Sequence, residues 1–223
     1  MPHHTGMRTH KWLPVLLALT AIAARPAGDA AKARPLVRAG EELTYVVHSS
    51  RFGNIGKAVL RVDTDTIYGT EAYRLSFDFS ARVALFKVSD RTRSWLDTEG
   101  LRTLHYSKDE RSPLGGHKED VRVSDDCPTE QPLDELSFIY LVRALELNAG
   151  DTTVVRRHFD ERRNPVRIVA HTTRDLEMIV PDIRQKNGTS KLRFLISDDS
   201  ARVPLRIQTT MPVAGQITMT LVR

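Results

Sequence analysis

The chain has 223 residues, a formal net charge of +5, and 40% hydrophobic, 27% charged and 6% aromatic residues. This length can bury a sizeable core, and the composition excludes collagens, coiled coils and polytopic membrane proteins. The chain has one cysteine, Cys127, so an intrachain disulfide framework and a cysteine-rich zinc module are excluded. Basic residues are scattered rather than clustered, so we expect no nucleic-acid partner.

Residues 1–24 have the organisation of a secretory signal peptide. Arg8 and Lys11 precede a short apolar run, and Ala21-Ile22-Ala23 provides the small residues that a signal peptidase requires. The run is shorter than the roughly 20 apolar residues that span a bilayer. An N-terminal anchor that is never cleaved is the alternative interpretation.

Processing of this segment would place the chain outside the cytoplasm. No cysteine follows the apolar run, so we expect no lipoprotein anchor, and either Met1 or Met7 fits the true start. We therefore expect an exported monomer without a transmembrane segment after processing, in the periplasm or associated with the outer membrane.

A period of two dominates residues 41–223, which follow an Ala/Pro/Arg-rich linker at residues 25–40. Successive side chains of a strand point to opposite faces, so alternating apolar and polar residues give each strand one dry and one wet face. The clearest alternating segments are 73–82, 121–123, 192–196 and 217–221. We predict a single mainly β domain, a curved antiparallel up-and-down sheet or partly open β-barrel of about ten strands.

One segment, from Leu133 to Leu147, breaks the alternation and predicts a helix. Pro132 and the acidic residues after it suit a helix start, and Gly150 lies just past the end. Apolar residues occur almost all round this helix, which is typical of a buried one. We predict that it packs on the concave dry face of the sheet. A helix lying on a membrane surface is the alternative, but the basic polar face expected there is missing.

Several motifs occur in a defined order along the chain. The most specific is KLRFLISDD at residues 191–199 with RVPLRI at residues 202–207, preceded by weaker motifs at residues 40–45, 86–97 and 134–143. Together they resemble DUF3108, a family of exported bacterial proteins without established activity, over residues 40–222. The resemblance implies a curved antiparallel sheet or partly open barrel, the general kind of fold that periplasmic lipid and lipoprotein carriers use.

The patterns of common catalytic and metal sites are missing from the sequence. There is no Gly-x-Ser-x-Gly elbow, no His-x-His pair and no HExxH motif. Asp198 and Asp199 with Arg202 and Arg206 predict a local hairpin lock of charge-assisted hydrogen bonds. We therefore expect no cofactor, no metal and no catalytic activity. A hydrolase with an unpatterned site is the least favoured alternative.

The remaining candidate for a functional site is the large dry face of the sheet. If the helix covers only part of it, the rest can bind a lipid or acyl chain, with strand-borne arginines at the rim for an anionic head group. If the helix fills the concavity, the chain is a structural or assembly module that docks an envelope protein. The candidate ligand-binding residues are Phe77, Phe79, Phe86, Arg93, Trp95, Tyr140, Arg193 and Phe194.

Overall fold

Twelve antiparallel strands form one continuous sheet in the computed structural model, which describes residues 33–83, 85–113, 115–183 and 188–222. The predicted signal peptide lies outside the described residues. In chain order the strands are β1 (Glu42–Ser49), β2 (Gly53–Ile67), β3 (Thr70–Val83), β4 (Phe86–Asp97), β5 (Thr103–Ser112), β6 (Gly115–Arg122), β7 (Thr152–Val155), β8 (Val166–Ala170), β9 (Asp175–Asp182), β10 (Gly188–Ile196), β11 (Pro204–Met211) and β12 (Gly215–Leu221).

The sheet is an up-and-down meander whose first and last strands pair with each other. Its order is β6-β5-β4-β3-β2-β1-β12-β11-β10-β9-β8-β7, so β6 and β7 are the edges. The sheet curls until the two edges approach: the ring of Tyr106 on β5 lies 5.7 Å from that of Phe159, beyond β7. The edges do not pair, and the barrel is therefore open.

The predicted mainly β fold with one buried helix is confirmed, but the sheet has twelve strands rather than about ten. The additional strands arise because β7 and β8 have four and five residues, too few for a recognisable alternation. The fully described part of the chain contains no helix long and apolar enough to cross a membrane.

Successive hairpins place their turns at two opposite ends of the barrel. We call the end with the β1–β2, β3–β4, β5–β6, β9–β10 and β11–β12 turns the open end. The other, with the β2–β3, β4–β5, β8–β9 and β10–β11 turns, is the closed end, because the helix lies there. A short 3₁₀ turn, Glu161–Arg163, lies between β7 and β8.

The helix α1 spans Glu135–Ala144, which is shorter than the predicted range. It begins here because the Asp134 carboxylate accepts hydrogen bonds from the backbone N–H groups of Leu136 and Ser137, while the Ser137 side chain completes a capping box. It ends early because the backbone of Leu145 is extended. Seven of its ten residues are buried, as the apolar pattern predicts.

The inward faces of the strands and the helix share one hydrophobic core. The described part of the predicted linker joins it: Pro35 is buried, and the Leu36 N–H donates to the carbonyl of Tyr140 on α1 at 2.9 Å. The largest apolar side chains that are fully buried are Tyr45, Tyr106, Tyr140, Phe138, Phe194, Leu60, Leu75, Leu96, Leu133, Leu141 and Ile168.

Candidate functional site

A buried ion pair fixes the C-terminal end of α1 at the closed end. The guanidinium of Arg143 donates to both carboxylate oxygens of Glu41, at 2.5 and 2.7 Å, and to the carbonyls of Ala201 and Arg202. Arg202 in turn donates to the carbonyl of Leu145 at 2.8 Å and to that of Arg143. These bonds join the helix to the start of β1 and to the β10–β11 turn.

The β10–β11 turn is held by hydrogen bonds, but their partners differ from those predicted for the hairpin lock. The Asp199 carboxylate accepts from the Ser197 hydroxyl at 2.8 Å and from the backbone N–H groups of Ala201 and Arg202. The Ser197 hydrogen bond lowers the pKa of Asp199 below its usual range. The Arg202 side chain binds the helix carbonyls instead, because the helix leaves those groups without internal partners.

The N-terminal end of α1 is fixed to the opposite wall of the barrel. Besides capping the helix, the buried carboxylate of Asp134 accepts hydrogen bonds from the hydroxyls of Ser94 on β4, at 2.5 Å, and Thr103 on β5, at 2.7 Å. The Tyr106 hydroxyl donates to Glu135 at 2.9 Å. Burial raises the pKa of Tyr106, so this phenol stays protonated.

Charged side chains cover the inward face of β4–β6 beside the open seam. The Lys108 ammonium lies 3.5 Å from both the Asp90 and the Glu135 carboxylates. Arg163, from the 3₁₀ turn, pairs with Glu135 and lies 3.9 Å from Glu119 on β6. These pairs bridge the seam where β6 and β7 fail to meet, and they form a polar wall.

An apolar wall adjoins this polar one on the concave side. Phe77 and Phe79 on β3 lie on the inward face, with near-parallel rings 6.5 Å apart, and both are half-buried. Phe79 stands between the small residue Ala58 on β2 and Asp90 on β4. The border between the two walls therefore runs between β3 and β4, and the concave side at the open end can contact both halves of an amphiphile.

Of the predicted ligand-binding residues, the structure brings together Phe77 and Phe79. Phe194 and Tyr140 also face inward, but they are 0% and 1% exposed in the packed core around the helix. Burial raises the pKa of Tyr140, whose hydroxyl has no hydrogen-bond partner within the described structure. Phe86 lies at the tip of the β3–β4 hairpin and is exposed.

The other three predicted residues lie on the outward face of the sheet. Arg93 pairs with Asp78 at 2.8 Å, and Arg193 forms a two-point pair with Asp175 at 2.5 and 2.7 Å. The indole N–H of Trp95 donates to Asp65 at 3.0 Å. These arginines therefore do not form the expected rim, because strand alternation turns them away from the phenylalanines.

The outward face also carries an aromatic cluster that the sequence analysis did not identify. His105 lies between Trp95, with ring centres 5.1 Å apart, and Tyr68, whose hydroxyl is 2.8 Å from His105 Nδ1. Arg122 stacks on the Tyr68 ring at 4.1 Å. Trp95 and His105 lie opposite each other on paired strands, and both face outward. This register is the signal that could have identified the cluster. A hollow of about 420 Å³ beside the cluster is lined by Tyr68, Thr70, Arg102, Leu104, Arg122, Val123, Ser124, Asp125 and Asp126.

One buried histidine, His158, packs against the aromatic rings of Phe138 and Phe159. Its ring stacks on Phe138, and its Nδ1 accepts from the backbone N–H of Asp160 at 3.0 Å. Burial lowers its pKa, and its Nε2 has no partner within the described structure. Among all the residues that the structure describes, no three His, Cys, Asp or Glu side chains are arranged to hold a metal ion.

Comparison with known proteins gives a family and a fold. The family model described as a protein of unknown function (DUF3108) matches residues 44–124 and 114–222. A crystal structure from Brucella abortus, described as a beta-barrel-like protein of domain of unknown function DUF1849, is similar with a TM-score of 0.50. It is 9% identical, and the match covers 86% of this chain and 98% of that chain, a likeness that concerns the fold alone. No curated protein matches the sequence.

Proposed function

The chain belongs to the DUF3108 family, and from its fold we propose that it is an exported, non-catalytic protein that binds the acyl chain of a lipid. The observation that carries this proposal is the concave side at the open end. Phe77 and Phe79 face inward there, and the helix leaves them half-buried. Concave apolar surfaces with a few convergent polar groups are the usual sites for small amphiphilic ligands.

The acyl chain would lie along the apolar wall, over Phe77 and Phe79. Each methylene group that leaves water against these half-buried rings would contribute about 0.8 kcal/mol. The head group would meet the polar wall of β4–β6, where the carboxylates of Asp90, Glu119 and Glu135 outnumber the two cations. A neutral or zwitterionic head group suits this wall better than an anionic one.

The polar groups at the closed end support a non-catalytic role, because their hydrogen bonds hold the helix in place. Asp134 has four protein donors, and Arg143 donates to Glu41, which directly precedes β1, and to two carbonyls of the β10–β11 turn. Export rests on the signal-peptide pattern of residues 1–24. Protein recovered from the envelope should lack the signal-peptide segment at residues 1–24, which intact-mass measurement tests; an uncleaved N-terminus would contradict cleavage.

A fluorescent acyl probe tests the binding site directly. We expect saturable binding at micromolar concentrations and at least a tenfold loss of affinity in the Phe79→Ser variant. The matched control is Trp95→Phe, an aromatic change on the outward face of the neighbouring strand, and it should leave the affinity unchanged. Absence of probe binding, or equal losses in both variants, would contradict the proposal.

A second candidate function is an assembly module with a filled interior. The complete burial of Tyr140 and Phe194 favours it, because the half of the barrel around the helix offers no space for a ligand. In that case the protein binds no acyl probe, and crosslinking in the envelope yields a protein partner that contacts the outward face.

A further inference from the structure

The exposed apolar side chains of this protein are concentrated at the open end. Eight large apolar residues are exposed over the described ranges, and six of them lie in or beside the hairpin turns at this end. Leu85 is the most exposed, at 92%. The six are Phe52, Leu85, Phe86, Ile183, Met211 and Val213.

The up-and-down topology places these residues around the same mouth of the barrel. Phe52 lies in the β1–β2 turn, Leu85 in the β3–β4 turn, and Val213 in the β11–β12 turn. The β1–β2 and β11–β12 turns also contact each other, because Arg51 donates to the carbonyls of Pro212 and Val213 at 3.3 and 3.0 Å. We call this surface the apolar rim. Contiguous exposed apolar surface on a folded domain typically marks an interaction site.

Basic residues accompany the apolar rim. Arg82 and Lys87 flank the β3–β4 turn, and Arg51 precedes Phe52. All three are exposed, and none forms an ion pair with another described residue. Their charges are therefore available to an anionic partner.

The closed end has the opposite charge character. Its turns and loops carry exposed carboxylates, which an anionic surface would repel. The protein is thus polarised along the barrel axis, with apolar groups and an excess of exposed basic residues at one end and an excess of exposed acids at the other. The exposed acids at the closed end are Glu42, Glu71, Glu99, Asp125, Asp126, Glu130, Glu146, Asp198 and Asp199, and they outnumber the exposed arginines there, which are Arg34, Arg38, Arg122 and Arg206.

We propose that the apolar rim docks on the surface of an anionic phospholipid bilayer. Its apolar side chains enter the boundary between head groups and acyl chains, while Arg51, Arg82 and Lys87 contact lipid phosphates. This orientation turns the mouth of the barrel toward the bilayer and the acidic closed end away from it. The surface goes beyond the proposed acyl site and does not require it.

Vesicle sedimentation tests this surface. The protein and its variants are purified from their own host, so that all of them have the same processed N-terminus. The vesicles contain phosphatidylethanolamine with phosphatidylglycerol, and phosphatidylcholine vesicles serve for comparison. We expect binding to the anionic vesicles that weakens as salt rises, because salt screens the basic groups. The Leu85→Ser/Val213→Ser and Arg82→Ser/Lys87→Ser variants should each lose at least tenfold in partitioning.

The matched control is Val222→Ser, since Val222 is 59% exposed but lies at the closed end. Unchanged partitioning in this variant supports the assignment of the surface. Absence of vesicle binding, or equal losses in the rim and control variants, would overturn it. A rim variant that instead dissociates an oligomer would show that a second copy covers the rim. Phe79 is untouched in all these variants, so acyl-probe binding without vesicles reports separately on the proposed function.

Discussion

Arg143 and Glu41 form a buried, two-point ion pair between residues 102 positions apart in the chain. The Arg143 side chain is 1% exposed and that of Glu41 is 11% exposed. Glu41 directly precedes the first strand, and Arg143 is in the last turn of the helix. This contact therefore couples the position of the helix to the wall of the barrel.

Replacing Arg143 with methionine should strongly destabilise the fold. The change keeps an unbranched side chain but leaves the Glu41 carboxylate buried without its cation, which costs about 3–5 kcal/mol in buried pairs. The free energy of unfolding, measured by urea denaturation, should fall by this amount.

Arg193→Met is the matched control, because Arg193 forms a pair of the same geometry with Asp175 on the exposed outward face. Exposed pairs contribute at most about 1 kcal/mol. Similar losses in the two variants would contradict a locking role for Arg143.

Asp134→Ala should release the N-terminal end of the helix. It removes the cap of α1 and leaves the buried hydroxyls of Ser94 and Thr103 without their acceptor. Together these losses amount to about 2–4 kcal/mol in the free energy of unfolding. Asp199→Ala removes a carboxylate from an exposed turn, where water replaces it, and should cost about 1 kcal/mol or less. If the two variants lose the same free energy of unfolding, the buried hydrogen bonds of Asp134 stabilise the fold no more than those of an exposed turn.

His158 should make the stability depend on pH. Burial lowers the folded-state pKa of His158. The nearby carboxylates of Asp134, Asp160 and Glu119 act in the opposite direction, but burial has the larger effect. An unfolded histidine titrates near pH 6.5. Around and below that pH the unfolded chain therefore binds a proton more readily than the folded chain does. The free energy of unfolding should therefore be highest above about pH 6.5. It should fall as pH drops below this value, by at most about 1.4 kcal/mol per pH unit.

Urea denaturation between pH 7.5 and pH 5.5 checks this slope. His158→Gln should flatten it, whereas His48→Gln, at an exposed site beside Asn54, should leave it intact. A slope that survives the His158 change would assign the pH dependence to other groups. Asp175 and Glu177, whose pKa values are lowered by Arg193 and Lys191, lose their contributions only at more acidic pH, near and below their ordinary pKa values.

Gly56→Ala should strain the pairing of β2 with β3. A Cβ atom at this position would lie 2.1 Å from the Ser80 carbonyl oxygen and 2.6 Å from the Ala81 Cα, both of which are backbone atoms. The strands must separate locally, at a cost of about 1–3 kcal/mol. The neighbouring change Lys57→Ala, at an exposed position, should stay within about 0.5 kcal/mol. A melting temperature of the Gly56 variant equal to that of the parent would show that the strands adjust without cost.

Much of the fold could be predicted from local patterns. Alternation identified the long strands because each has one face in the core, and the apolar run identified α1 because a helix inside a barrel is buried on most sides. The burial of Phe77 against the core follows from the same rule. The contact of Arg143 with Glu41 could not be predicted, because nothing local relates residues so far apart.

The outward orientation of Trp95 has a specific physical cause. Hydrophobicity alone directs a tryptophan inward, but on β4 the inward positions belong to Thr92, Ser94 and Leu96. Ser94 must face inward because its hydroxyl binds Asp134, the cap of the helix. Trp95 consequently points outward and satisfies its indole N–H with Asp65. A polar requirement of the helix terminus therefore outweighs the burial of the largest side chain on the strand.

The most direct test of acyl-chain binding is native mass spectrometry, with lipid extraction, of the protein isolated from the envelope of its own host. We predict a reproducible bound lipid that is lost in the Phe79→Ser variant and retained in Trp95→Phe. Protein that is consistently free of lipid, and that takes up none when lipid is added, would contradict the proposed function and indicate a packed interior.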